Sequence, residues 1–444
     1  MIRLFKQALV TNRLFYLLGI ISLVFVASFF VHILFAVAQA LLIALMAVLL
    51  IDLVLLFRNT TRVTARRKIQ KTLSLGDENV VSVEINNLTG LRLNIRMIDE
   101  LPEQFQRRDF FFDFWLKAGE VKKVIYSIRP VVRGIYRFGN VNLILSSVLG
   151  LLQRRMIEGE AVTVVVYPSV VQMKEYELKA LHRISTQEGI KRLRRIGHSY
   201  EFEEIKEYVR GDDYRSINWK ASGRRHSIMV NQYEDEKSQQ IYSVIDRSRS
   251  MRMPFNGMSL LDYAVNTSLV ISNIALLKND KAGLLSFADK VQTFLKAERN
   301  RSQLHKILEA LYAQREESSE SNFELLYQAA RYSMKGRSLL FLYTNFESIY
   351  ALERVLPILR RINHLHLLVV IFFQNAEIED FSKDPVFSLA DIYDQTIAKK
   401  FIGEKNHLAA ELKRYGISCI CTRPEDLSIN TVNKYLEIKS RGLT

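Results

Sequence analysis

The sequence predicts an α/β protein: a doubly wound, mostly parallel sheet in the carboxyl-terminal half, preceded by a transmembrane helical hairpin and a small β-sandwich domain. Three observations predict it. Leu14–Ile51 contains no Asp, Glu, Lys or Arg. Residues 72–168 are short runs rich in Val, Ile and Tyr, separated by turn-like stretches. Beyond residue 239, continuously apolar strands alternate with helices, the mark of a sheet covered on both faces. The 444 residues, 48% hydrophobic, supply core enough for two or three domains.

The charge-free run comes first. A single helix over it would be about 57 Å long, against a hydrocarbon core of about 30 Å. Two helices fit better, Leu14–Phe30 and Ile33–Phe57, turning at Val31 and His32. Residues 1–71 hold nine Lys or Arg and one acid, Asp52, so eight of the net +15 charges flank this run. Basic flanks around an uncharged turn predict both ends on the cytoplasmic side, with membrane lipid as a partner. AVAQA at residues 36–40 has the form of a signal-peptidase site, but the apolar continuation to Phe57 argues against cleavage. Asp52 lies six residues before Arg58, close enough to the interface for a structural role to outweigh an intramembrane functional one.

Residues 1–71 thus read as a membrane anchor and 72–168 as a β-sandwich-like domain. Residues 169–238 form a basic linker followed by a dense polar block, and 239–444 the α/β domain. Within the α/β domain the pattern predicts helices over 259–277, 301–313, 322–334, 347–361, 397–415 and 429–439. Cys419 and Cys421 share one face of a short strand, a poor geometry for a disulfide, and read as reduced core thiols.

The strand QIYSVID ends at Asp246, and Ser248 and Ser250 follow at alternate positions. Residues two apart in extended backbone share a face, so one carboxylate and two hydroxyls can converge while Arg247 and Arg249 point elsewhere. Three small oxygen ligands at the carboxyl end of a strand suit Mg²⁺. They equally suit a polar loop in which Asp246 caps the following helix.

This order, with a strand ending in Asp-x-Ser-x-Ser, resembles the von Willebrand factor type A domain, where that signature opens a metal-ion-dependent adhesion site. KEYVRGDDYRSINWKASGRR (206–225), YEDE (233–236) and IDRSRSM (245–251) together resemble the bacterial domain-of-unknown-function 58 family. RGIYRFG (133–139), VLGLLQRR (148–155) and the paired membrane span look like that family too. The resemblance implies a protein of the bacterial cytoplasmic membrane that partners a MoxR-type AAA+ ATPase in protein maturation or envelope stress.

It also implies an adhesion site made of Asp246, Ser248 and Ser250, with Ser321 or Asn322 in a Thr position and Asn345, after Thr344, in the place of an Asp. The missing carboxylate and the nearby Arg247 and Arg249 predict weak or partner-dependent Mg²⁺ binding. In the polar block, Arg210, Gly211, Asp212, Asp213, Arg215, Trp219 and Arg224 read either as paired charges that seat Trp219 or as a docking motif.

The function expected is a membrane-anchored protein-interaction scaffold with no catalytic residues. A metal-assisted hydrolase or phosphotransferase using Asp246 is the alternative. It lacks a second acid, because Ser248 stands where a general acid would be. No Ser-His-Asp order, HExxH or Walker A loop occurs. Nucleic-acid binding rests on charge alone and is not expected.

Overall fold

The computed structural model describes residues 7–57, 62–107, 109–177, 201–209, 214–225, 227–234, 238–300, 302–385 and 388–441. The chain divides into two compact units, Met1–Tyr167 and Pro168–Thr444.

The first unit opens with a short strand, β1 (Ala8–Val10), and two apolar helices, α1 (Asn12–Ala27) and α2 (Ile33–Phe57). The helices pack on each other through Leu14, Ile21 and Leu45, with Phe25 edge-on to Phe35. Their outer faces expose Phe15, Leu23, Phe29, Ile43 and Leu50. Of the two, α2 is long and apolar enough to cross a membrane, while α1 is a shorter apolar helix.

Ten strands follow: β2 (Val63–Lys68), β3 (Thr72–Ser74), β4 (Asn79–Asn87), β5 (Leu93–Asp99), β6 (Phe111–Leu116), β7 (Val121–Ile128), β8 (Gly134–Phe138), β9 (Val141–Ser146), β10 (Leu152–Glu158) and β11 (Val162–Tyr167). They form a five-stranded sheet, β1-β10-β9-β5-β6, and two three-stranded sheets, β2-β4-β7 and β3-β11-β8. Strand β4 buries every second residue (Val81, Val83, Ile85), as a sheet with one covered face requires. The β part therefore starts before residue 72, because β1 and β2 belong to its sheets.

Arg67 on β2 and Asp99 on β5 form a buried ion pair between two of these sheets. The Tyr126 hydroxyl also donates to Asp99, and Arg67 lies over the Phe138 ring. Burial and the Asp99 charge push the Tyr126 pKa far up, so the phenol keeps its proton.

In the second unit, residues 170–177 are helical. An antiparallel hairpin of β12 (Glu201–Glu207) and β13 (Met229–Glu234) carries the short helix α3 (Trp219–Arg225) between its strands. Then come β14 (Gln240–Asp246), the miniature pair β15 (Pro254–Phe255) and β16 (Met258–Ser259), α4 (Leu260–Leu277), β17 (Lys281–Phe287) and β18 (Val291–Glu298). The chain continues through α5 (Gln303–Tyr312), α6 (Phe323–Ser333), β19 (Leu339–Tyr343), α7 (Ile349–Leu365), β20 (Leu367–Phe373), α8 (Ala376–Phe381), α9 (Leu389–Arg414), β21 (Ser418–Thr422) and α10 (Leu427–Arg441).

The main sheet runs β18-β17-β14-β19-β20-β21, parallel except for β18. Helices cover both faces, so the inner strands are apolar throughout. One layer packs α4 against Ile241, Ile245 and Phe341, and the other packs α6 and α7 against Val244, Leu340 and Leu342. Helix α4 is apolar enough to cross a membrane but is buried in this core. Cys419 and Cys421 are free, half-buried thiols on β21, and burial pushes the Cys421 pKa up to about 11.

Candidate functional site

The carboxyl ends of the two central strands, β14 and β19, meet three loops. Strand β14 ends on Asp246, and the backbone turns into a single 3-10 turn at Arg249–Met251. Asp246 Oδ1 accepts the Ser248 N–H at 2.9 Å. Its Oδ2 accepts the hydroxyls of Ser321 and Thr344, each at 2.7 Å. Ser248 and Ser250 point together, with their Oγ atoms 3.0 Å apart.

Asp246 is fully buried. Three donors from three loops surround it, and it lies at the floor of a small cavity. Burial pushes its pKa up, and the Ser321, Thr344 and Ser248 hydrogen bonds pull it back down.

Ser321 and Asn322 have different jobs. Ser321 reaches Asp246, while Asn322 caps α6 by accepting the Leu325 N–H at 3.2 Å. The helix therefore claims the Asn322 side chain, and Asn322 leaves the candidate ligand set. Arg247 and Arg249 are not free charges either. Arg247 is buried, donates to the Arg315 carbonyl at 2.7 Å and pairs with Glu317 at 3.0 Å. Arg249 pairs with Glu320 at 3.1 Å.

Asn345 donates weakly to the Ser250 carbonyl, at 3.4 Å. Its Oδ1 accepts from Lys405 Nζ at 2.9 Å, and the same ammonium reaches the Phe346 carbonyl at 2.6 Å. Burial pushes the Lys405 pKa down, partly opposed by Cys421 and Glu347. Mg²⁺ demands near-octahedral oxygen ligands at about 2.0–2.1 Å. Here the single carboxylate of the set already accepts three hydrogen bonds, and the amide oxygen in the second ligand position already holds a cation. As arranged, this donor set does not fit Mg²⁺. Among the described residues, no group of three or more His, Cys, Asp or Glu is placed to hold a metal ion.

Above Asp246 lies a small cavity of about 90 Å³, lined by Ser248, Ser250, Thr344, Asn345 and Phe346 among others. It shares Glu320, Ser321, Phe323, Arg354 and Val355 with a shallow groove of about 390 Å³ along α6 and α7. Among the side chains bonded to the candidate set, Thr344 enters the sequence pattern only as the neighbour of Asn345, and Lys405 does not enter it. Thr344 carries a local signal, since it directly follows β19, the strand paired with β14. Lys405 carries none, because it comes from the middle of α9.

The polar block supplies the second candidate surface. Arg210, Gly211, Asp212 and Asp213 lie outside the described residues. Arg215 falls in a 3-10 turn, Tyr214–Ser216. Trp219 is not seated in the sheet: it opens α3 and is 74% exposed. Tyr214, Val209 and Ile228 on the same hairpin are also exposed, as is Arg224. Asn218 braces the helix start, accepting from Ala221 N–H at 3.0 Å and donating to Asn231 at 2.8 Å.

Residues 204–391 match the family described as Protein of unknown function DUF58. Uncharacterized protein YeaD of Bacillus subtilis (strain 168) is 25% identical over 240 residues, spanning 52% of this chain and 57% of that protein. The match therefore spans little more than half the length of that relative. Among solved structures, the CARDB domain of PF1109 from Pyrococcus furiosus, in complex with di-metal ions, is 14% identical with a TM-score of 0.18. It covers 24% of this chain and 90% of its own. The ASH / PapD-like domain of human CEP192 is 12% identical with a TM-score of 0.18, covering 25% and 88%. Scores this low carry no structural argument. The match over 204–391 takes in most of the hairpin with its exposed tryptophan and the strand end at Asp246, so this part of the chain is similar to the DUF58 family.

Proposed function

We propose that this protein is a membrane-anchored protein-interaction scaffold. Its carboxyl-terminal unit is read as a von Willebrand factor type A-like domain, with the Asp-x-Ser-x-Ser loop at the carboxyl end of the central strand supporting that reading. The observation that carries the scaffold is the exposure of Trp219, with Tyr214, Val209 and Ile228, on one braced hairpin. A large exposed tryptophan costs solvation and recurs as an anchor in protein interfaces. The suggested partner is a MoxR-type AAA+ ATPase.

The buried Asp246 supports a structural role for that carboxylate, tying three loops beneath the rim, rather than a nucleophile or a metal ligand. The site is read as metal-free. The anchor is read as two spans in the cytoplasmic membrane, with the domains on the cytoplasmic side. Two features support this: α1 and α2 leave and re-enter one β unit, through β1 and β2, and basic residues flank the pair.

The test is capture from detergent-solubilised membranes using the full chain as bait. A AAA+ ATPase should be retained by the wild type and lost with Trp219→Ala, while Trp219→Phe keeps part of the capture. Retention unchanged in a Tyr214→Ala/Trp219→Ala variant would remove the hairpin as the docking surface. Turnover of phosphate esters or peptides by the pure protein would replace the scaffold with an enzyme.

A further inference from the structure

The loop between β9 and β10, Ser147–Leu151, is fastened to both apolar helices. The Ser147 hydroxyl donates to Asp52 Oδ1, and the backbone N–H groups of Leu151 and Leu152 donate to Asp52 Oδ2 at 3.0 and 2.8 Å. Just before the other helix, the Thr11 hydroxyl donates to the Gly150 and Leu151 carbonyls at 2.8 and 2.9 Å. Leu151 is buried among Leu14, Ile21 and Leu45. The tip of the same loop is not covered: Val148 is 66% and Leu149 39% exposed.

These bonds fix the height of the tip. Asp52 stands five residues before the end of α2 at Phe57, about 7.5 Å along the axis. Leu50, Ile51 and Val54, within a turn of Asp52, are exposed and apolar. A bilayer that covers them also reaches the loop hydrogen-bonded at that level.

We infer that Val148 and Leu149 are a lipid-inserting wedge, through which the β unit dips into the bilayer beside the helices. The occupant is the acyl-chain and headgroup boundary of the membrane that holds α1 and α2. The exposed pair belongs to a loop bonded to α2 at the level of that helix's exposed apolar residues. The inference rests on reading those helices as spans. It adds that the β unit is partly immersed and held at one attitude.

The test uses single cysteines in the full chain, after Cys419→Ser and Cys421→Ser. A nitrobenzoxadiazole label goes on Leu149→Cys, on Val54→Cys in α2, or on the exposed Ile125→Cys of β7. Each variant is reconstituted in phosphatidylcholine–phosphatidylglycerol vesicles with nitroxide-labelled acyl chains. Apolar groups of interfacial elements settle about 5–10 Å into the headgroup–acyl boundary, so quenching at 149 should approach that at 54 and exceed that at 125 at least ~3-fold. Quenching at 54 with none at 149 overturns the wedge and leaves the spans standing. Absence of quenching at 54 overturns the spans and the wedge with them. A Val148→Cys variant repeats the reading where the Leu149 change impairs folding.

Discussion

Lys405 Nζ stands 2.9 Å from the side-chain oxygen of Asn345, at the rim where an adhesion-type site would place a divalent ion. An ammonium there repels a second cation and occupies the ligand it would need. Added Mg²⁺ should therefore leave the thermal midpoint of the wild-type protein unchanged. Asn345→Asp combined with Lys405→Ala restores a carboxylate and removes the resident charge. That double variant should gain about 2.7 kcal/mol when Mg²⁺ is present at a hundred times its Kd. Calorimetry with and without Mg²⁺ reads both. Stabilisation of the wild type by Mg²⁺ would refute the assignment.

The buried Asp246 predicts a signed pH effect. Its folded pKa is raised by burial, so its stabilising contribution is full below the unfolded value and fades as pH rises through the folded one. Asp246→Asn imitates the neutral acid. As pH rises from the ordinary aspartate value of about 3.9 through the raised folded value, the variant should therefore become steadily more stable relative to the wild type. Denaturant midpoints for both proteins across that range check it; a difference that stays flat would show that the carboxylate titrates normally.

Asp52 ties α2 to the β unit by accepting two backbone N–H groups and a serine hydroxyl. Asp52→Leu leaves those N–H donors buried and unmade, at about 1–3 kcal/mol each. Asp52→Asn keeps a carbonyl acceptor and should cost less than half as much. Thermal unfolding in detergent micelles ranks the two, and equal stability for all three proteins would mean the bonds contribute nothing.

Between the sheets, Arg67 and Asp99 are buried with Tyr126 bonded to the carboxylate. Asp99→Ala strands a buried guanidinium and should destabilise the protein by about 3–5 kcal/mol. Arg67→Met with Asp99→Leu removes both charges and should recover most of that loss. Urea denaturation of the single and double variants provides the cycle.

The parts legible in the sequence are those whose signal is local. Ile33–Phe57 is an apolar run broken only by Gln39 and Asp52, and the helix takes those bounds. Asp246 ends a buried strand because apolar residues stop there, and the strand does end there. Helix α9 begins at Leu389 rather than near residue 397, because Ser388 and Asp391 form a reciprocal cap. That Ser-x-x-Asp spacing was present to be read, but the apolar periodicity behind it is weak.

Other features depend on distant partners. Lys405 looks like an ordinary solvated helix residue until α9 lays it beside Asn345. Arg67 reads as membrane-flanking charge until β5 brings Asp99 to it. Trp219 reads either as seated by paired charges or as part of a docking motif, and its place at the start of a short surface helix leaves it outside.

The pairing of Ala8–Val10 with Leu152–Arg154 has a consequence for how the molecule is made. Ribosomes deliver the first strand and both apolar rods long before the strand that completes the edge. During that interval β1 is an unsatisfied backbone ribbon, the kind of feature that recruits stray chains. On the proposed reading of the helices as spans, their early lodging in lipid would park β1 at the membrane surface, out of reach of neighbours, until its mate is translated.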